Sequence, residues 1–196
     1  MILFSPYFVP GKQGVEFFSQ LSKQGVRVRI LTNSLASTDV AIVHAGYSKY
    51  RKKLLRGGVE LYELNKKISR QERKRKKGEH GASKASLHAK SFVFDRQRVF
   101  IGSFNFDPRS FYENTEIGVL LTSPEIANGM ADKFDDYIEQ VAFRLELQTD
   151  EEGFQRILWH GLENGQQRVY TVDPYSSFWR RLGVGFMRLL PIESQL

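Results

Sequence analysis

Residues Ser86 to Ser110 read SLHAKSFVFDRQRVFIGSFNFDPRS, two apolar, strand-like runs on either side of a short DRQR. Each run carries two polar residues spaced two apart, His88 with Lys90 and Ser103 with Asn105. An imidazole can attack phosphorus or carry a proton near neutrality, and an ammonium is a point charge for an oxyanion. A hydroxyl and a carboxamide can donate to non-bridging phosphate oxygens. If DRQR is the turn and Asp95 opposes Arg98, His88 lies across from Asn105 and Lys90 across from Ser103. Residues two apart share a strand face, so all four are expected on one side, with directly opposed Cβ atoms about 5 Å apart. A register slip of one residue would break this arrangement. The chemistry that suits the four groups together is capture of a phosphate.

Two acids accompany them. At about 3.3 Å per residue of strand, Asp95 sits roughly 23 Å along the chain from His88, too far to touch a reacting group there. It is expected to be a turn residue that fixes the register or pairs with a base such as Arg98. Glu116 follows the compact DPRSFYEN connection and is expected to accept the second imidazole N–H of His88, setting its tautomer. Asn114 shares its face.

These residues need a scaffold to hold them. Ile2–Val9 reads as a strand, Val15, Phe18 and Leu21 as a helix stopped by Gly25, VRVRILTNS as a strand entering a core, and VELYEL as another strand. Asp39 is expected to cap a helix from Val40 to about Leu55. The strand–helix alternation predicts a layered α/β domain whose first half is largely parallel. NTEIGVLLTS reads as a further strand, and Ser123-Pro124-Glu125 opens a helix predicted to run to about Leu147. RILWHGLENGQQRVYTV predicts a hairpin turning at Asn164-Gly165. The end of the chain places Phe178, Leu182, Phe186 and Leu189 on one helical face, with Arg181 and Arg188 off it.

The chain has 196 residues, no cysteine and a formal charge of +7. Without cysteine there is no disulfide, thiol catalysis or zinc–thiolate site. The positive balance favours an anionic partner: nucleic acid, a phosphorylated substrate or an acidic lipid surface. No run of about 20 apolar residues is present to span a bilayer. The opening MILFSPYFVPG enters an apolar strand without a leader, as the rear part of a longer architecture would. Residues 65–85 form a basic loop with Lys66, Lys67, Arg70, Arg73, Lys74, Arg75, Lys76 and Lys77. Such a run is ordinarily a solvated loop; beside a phosphate site it suits attraction to acidic headgroups. Trp179 and Phe186 beside arginines suit either packing on the domain or an interfacial helix.

The central stretch resembles the phospholipase D superfamily. Its motif H-x-K-x4-D-x6-G-S-x-N is matched by His88, Lys90, Asp95, Gly102, Ser103 and Asn105 with every spacing intact. SPYFVPG, GVELYEL, GSFNFDPRS, NTEIG and the terminal WRRLGVGFMRLLPIE are similar to the second half of bacterial cardiolipin synthases. The resemblance implies an α/β/α sandwich, with a mixed sheet flanked by helices, forming one half of a two-motif enzyme. The implied domains are a catalytic half-domain over 1–172 and an amphipathic tail over 173–196. It further implies phosphatidyl transfer through a phosphohistidine, without metal or organic cofactor. In that scheme His88 is nucleophile or acid/base, Lys90 and Asn105 hold phosphate, Ser103 assists, Glu116 orients His88, and Asp95 and Gly102 are structural. The implied partners are a phospholipid substrate and an anionic membrane, at the cytoplasmic face of the inner membrane.

One motif is present where the family uses two. His44, His80 and His160 are followed two places later by Gly46, Ala82 and Leu162, so none seeds a second copy. The missing half is expected from another chain, an identical copy or an upstream fragment. Two other readings stay open: a homodimeric single-motif phosphodiesterase or nuclease, for which the absent export signal and aromatic–arginine tail make nucleic acid the less favoured partner, and a non-catalytic remnant that binds phosphate or acidic lipid.

Overall fold

The structure is a computed structural model that describes residues 1–67, 86–163 and 165–190. The chain alternates in its first third: β1 (Ile2–Phe4), α1 (Gly11–Lys23), β2 (Arg29–Asn33), α2 (Ala41–Ser48), α3 (Arg51–Arg56) and β3 (Glu60–Leu64). Then come β4 (Ser91–Phe94), β5 (Arg98–Gly102), α4 (Pro108–Tyr112), β6 (Gly118–Thr122), α5 (Pro124–Val141), β7 (Ala142–Thr149), β8 (Gln155–Glu163), β9 (Gln166–Tyr170) and α6 (Phe178–Met187). Among the described residues these strands form one nine-stranded sheet in the order β6-β5-β4-β1-β2-β3-β7-β8-β9. The β1–β2 and β2–β3 pairs are parallel and the other ladders antiparallel. This is the mixed α/β/α sandwich.

Alternation along the central strands builds two cores. Leu3, Ile30 and Leu61 point to one face, where Phe18 of α1, Tyr47 of α2 and Leu54 of α3 cover them. Their neighbours Ile2, Leu31 and Tyr62 point to the other, under Ala127, Ala131, Phe134 and Ile138 of α5. With both faces covered, every residue of β2 is buried, so the strand reads as a continuous core run.

Three local expectations are corrected. The helix after Asp39 is two helices interrupted at Lys49–Tyr50, and Asp39 does not cap it: Val40 holds the cap position, while both Asp39 oxygens accept from the Tyr7 phenol at 3.1 Å. The helix from Pro124 stops at Val141, and AFRLELQT is strand β7. Its Phe143 and Leu145 are buried and Arg144 and Glu146 exposed, a period of two that belongs to a strand, and β3 offers the edge on which it pairs. The third correction is the hairpin register. The turn is Asp95-Arg96-Gln97, so Phe94 pairs with Arg98 and Phe92 with Phe100, one residue away from the expected pairing. Asp95 and Arg96 are both left-handed (φ 52° and 54°), an unfavourable conformation for an arginine. Arg96 is held there by α5, with its guanidinium on Asp132 and on Asp135 at 2.8 Å. Asp95 is thus a turn residue, as expected. The late hairpin joins β8 to β9 through Gly165 at φ +77°; Asn164 lies outside the described residues, as do His80 and the loop basics from Arg70 to Lys77.

A buried polar cluster pins the later part of the chain to the first. Arg51 Nε lies 2.8 Å from Glu63, and its Nη2 lies 2.8 Å from Asp173, just ahead of α6. Trp159 donates to Glu63 at 3.0 Å. Burial and the Arg51 cation push the His44 pKa down to about 4, so this imidazole is neutral near pH 7. Its Nε2 accepts from Arg51 at 2.5 Å, leaving the other ring N–H for the Asn33 carbonyl. The unfolded chain protonates His44 near 6.5 and the folded chain near 4. The stability tied to a neutral His44 is therefore complete above pH 6.5 and declines as pH falls toward 4, by about 3 kcal/mol. Glu63 works the other way over the same window, because burial raises its pKa to about 7. The His44 contribution is therefore read by difference: the melting midpoint of a His44→Asn variant should fall less between pH 6.5 and 4 than that of the unsubstituted chain, and parallel profiles would contradict a buried neutral imidazole.

Candidate active site

The carboxyl ends of the parallel strands β1 and β2 lie on the same sheet edge as the start of β4 and the end of β5, because Phe4 pairs with Ser91 and Ser91 with Ile101. Open α/β sheets bind ligands outside such strand ends. His88 and Lys90 precede β4, and Ser103 and Asn105 follow β5, so all four fall on this edge.

The observed register changes how they meet. Continued as a flat ladder, it would oppose Lys90 to Gly102 and send Ser103 and Asn105 to the opposite face from His88 and Lys90. The ladder instead ends at the bond from Gly102 N–H to the Lys90 carbonyl (3.1 Å). Beyond it, Ser103 N–H turns to the Ile117 carbonyl (2.8 Å), Phe106 N–H to the Ser5 hydroxyl (3.0 Å), and the Phe106 carbonyl to Val9 N–H (2.7 Å). The polar residues are gathered by chain ends folding over the sheet edge rather than by one sheet face.

Glu116 is the hub of what is gathered. One oxygen accepts from the Ser103 hydroxyl, the other from Ser110 at 2.8 Å and from the Asn114 amide at 3.2 Å. These bonds hold its carboxyl below the usual glutamate value, and the Lys90 cation adds to the effect. The expected bond to His88 is not made: the Glu116 oxygens are occupied by two hydroxyls and an amide. Burial lowers the Lys90 pKa, opposed by the charges of Glu116, Asp107 and Asp39. Lys90 Nζ donates to the His88 carbonyl at 3.2 Å. The His88 side chain is exposed and has no hydrogen-bond partner among the described residues.

Asn105 is buried, and its Oδ1 has no hydrogen-bond partner. A buried amide with an unsatisfied oxygen can meet a ligand's polar atoms, with oxygen and nitrogen exchangeable by a flip. Its backbone N–H goes to Ser110 Oγ at 3.2 Å, so Ser110 links Asn105 to Glu116. Ser110 is positioned by α4, where Asp107 caps its N–H at 2.8 Å. The Asp-Pro pair at 107–108 is the sequence sign of that cap.

Gly102 has a steric task. It faces Gly118 across β5–β6, and a Cβ at Gly102 would lie 2.5 Å from the Ile117 carbonyl oxygen and 2.9 Å from the Phe100 ring. Asn33 is a further residue that the sequence reading missed. Its Oδ1 accepts from Leu87 N–H at 2.9 Å and its Nδ2 donates to the Leu87 carbonyl at 3.2 Å, gripping the residue before His88 from both sides. Pro6 O and Ser37 Oγ complete its bonds, at 3.3 and 3.1 Å. Nothing local marks this Asn, since its partner lies 54 residues away.

His44 lies in the core and His160 on β8, paired with Glu146 at 2.9 Å and separated from β4 by four strands, so neither belongs to this edge. Among the described residues no group of three or more His, Asp and Glu side chains is arranged to hold a metal ion.

Residues 1–138 match the family described as cardiolipin synthase, PLD-like domain. The chain belongs to that phospholipase D-like family. It is 43% identical over 191 residues to cardiolipin synthase C of Escherichia coli K12, covering 97% of this chain and 40% of the relative. It is 27% identical over 160 residues to cardiolipin synthase A of Yersinia pseudotuberculosis, covering 82% of this chain and 28% of that one. The chain therefore spans well under half the length of these relatives. Among solved structures, phosphatidylserine synthase of Haemophilus influenzae Rd KW20 matches with TM-score 0.52 and 17% identity, over 74% of this chain and 33% of that one. Nuc, a phospholipase D family member from Salmonella typhimurium, matches with TM-score 0.50 and 18% identity, over 68% and 74%. Both support the phospholipase D fold.

Two substitutions check how this family's edge is held. Asn33→Ala leaves the Leu87 backbone and Pro6 O without their partner; the expected cost is about 1–3 kcal/mol, with faster amide exchange at Leu87. Unaltered exchange there would remove Asn33 from the site's support. Gly102→Ala should destabilise by about 1–3 kcal/mol in urea melts, because its neighbour is backbone and cannot step aside.

Proposed function

We propose that this chain is one half of a phosphatidyl-transfer centre of the cardiolipin-synthase type, acting on phospholipid through a phosphohistidine. The observation that carries the reading is the edge itself: an exposed imidazole at His88, the Lys90 ammonium, the Ser103 hydroxyl tied to Glu116, and the unsatisfied Asn105 amide, all where two strands end.

His88 attacks phosphorus of the donor phosphodiester, forming a P–N bond as the P–O bond to the leaving alcohol breaks. The leaving alkoxide takes a proton from a second histidine. The acceptor alcohol then returns a proton to that histidine, attacks phosphorus and displaces His88. Lys90 and the Asn105 amide counter the charge that grows on the non-bridging oxygens. Glu116 keeps Ser103 oriented and adds negative charge that favours the Lys90 cation.

The second histidine comes from outside these 196 residues, from a second copy or from an upstream segment carrying the other motif. Strand β6 supports this pairing. It is a sheet-edge strand exposed along its length, with Val119 and Leu120 out in solvent, and Ile117 just ahead of it is 78% exposed. Phe111 and Tyr112 of α4 extend the apolar surface beside Glu116. Exposed apolar edges of this size are ordinarily covered.

The test incubates the purified chain, alone and with its relative's missing half supplied, with phosphatidylglycerol vesicles and separately with plasmid DNA. Cardiolipin formation without nicking is expected, and His88→Ala should abolish it while the melting midpoint stays unchanged. Lys90→Met should slow it by about a hundredfold or more, the scale of removing one transition-state donor. Nicking in place of transfer would assign a nuclease. Turnover at the unsubstituted rate in His88→Ala would remove His88 from the chemistry.

A further inference from the structure

The late helix α6 carries two apolar stripes, and the fold uses one. Val184 is buried against Leu35 and Ala45, with Met187 and Ala41 packed beside it. Arg180 Nη2 donates to the Thr38 carbonyl at 2.9 Å, and Lys49 Nζ to the Leu190 carbonyl at 3.3 Å, tethering both ends of the segment to the domain. The other stripe, Phe178, Leu182, Gly185, Phe186 and Leu189 with Arg181 at its flank, lines an open groove. Leu189 is 80% exposed and Trp179, beside Phe178, 76%. Packing on this domain does not account for that surface.

We propose that this stripe docks on an anionic bilayer and seats the rim of the active site against it. Charge selects the occupant. Between Asp173 and Leu190 the chain carries Arg180, Arg181 and Arg188 and no acid, and Lys49 adjoins its end. A short helix with aromatic and aliphatic side chains on one stripe and cations around it suits the headgroup boundary, where apolar area and attraction to acidic lipid add. Among the described residues no helix is long and apolar enough to cross the membrane.

The position of α6 gives the docking its use. Its first turn is bonded to Thr38, next to Asp39, which accepts from Tyr7 and is one of the charges acting on Lys90. A lipid whose acyl chains stay in the bilayer under Phe178 and Leu182 would present its phosphodiester to that rim. This last step rests on the transfer reading; the docking itself does not.

Vesicle flotation tests it. The unsubstituted chain should float with vesicles containing phosphatidylglycerol and stay behind with phosphatidylcholine alone. The combined variant Phe178→Ser, Leu182→Ser, Phe186→Ser, all at exposed positions, should lose partitioning by at least about tenfold. A readout on the unsubstituted chain guards against misfolding of that variant. Lipids brominated in their acyl chains should quench Trp179, whereas Trp159 is buried and donates to Glu63. Unchanged flotation of a folded variant, an unquenched Trp179, or a variant that instead splits a dimer in lipid-free buffer would each overturn the proposal. His88→Ala should float like the parent chain, so loss of transfer and loss of docking are read separately.

Discussion

The attachment of Arg96 to α5 decides where the site can form. Its guanidinium reaches Asp132 and Asp135, and Asn128 exchanges bonds with it at 3.3 and 3.4 Å through Arg96 Nη1 and the Arg96 carbonyl. Asp135 also pairs with Arg29 of β2, so one carboxylate ties the helix to two parts of the sheet. These bonds hold two consecutive left-handed residues in the turn and thereby set the β4–β5 register. That register stacks Phe92 on Phe100 at 5.1 Å and sends Val93 and Val99 into the core beneath α5. It also halts the ladder at Lys90 and Gly102, which frees the chain on either side to fold over the sheet edge.

At that edge the polar groups are positioned by backbone as much as by one another. Asn33 clamps the residue before His88, Ser5 receives Phe106 N–H, and α4 delivers Ser110 to Glu116. Each grip comes from a different element, so the edge depends on the whole first half of the sandwich being packed. Glu116 spends its hydrogen bonds on Ser103, Ser110 and Asn114, and His88 is exposed.

The rest of the molecule divides into surfaces closed within the chain and surfaces left open. The buried cluster of His44, Arg51, Glu63 and Asp173 closes the join between the helical layer and the segment leading to α6. Burial works against the Asp173 carboxylate, but the Arg51 cation outweighs it and holds its pKa below the usual aspartate value, so the Arg51–Asp173 pair stays ionised at neutral pH. The open surfaces lie on β6 with α4 and on the outer stripe of α6. On the readings above, the first belongs to the missing half and the second to the bilayer.

Much of this was legible in the chain itself. Apolar period and turn residues located β1 to β3, both hairpins and the start of α5, because these elements are specified by neighbours in sequence. The motif spacing from His88 to Asn105 carried the family, and the shared stripe of Phe178, Leu182, Phe186 and Leu189 was visible as helical spacing. Three things were decided by tertiary contacts. The hairpin register followed Arg96 and its acids 36 and 39 residues away. Strand β7 followed the free edge of β3, overriding a helical reading of a segment whose own alternation was short. Glu116 and Asn33 found partners that only the folded edge brings within reach. Local pattern determines which elements form; long-range bonds determine their register and, with it, which side chains meet.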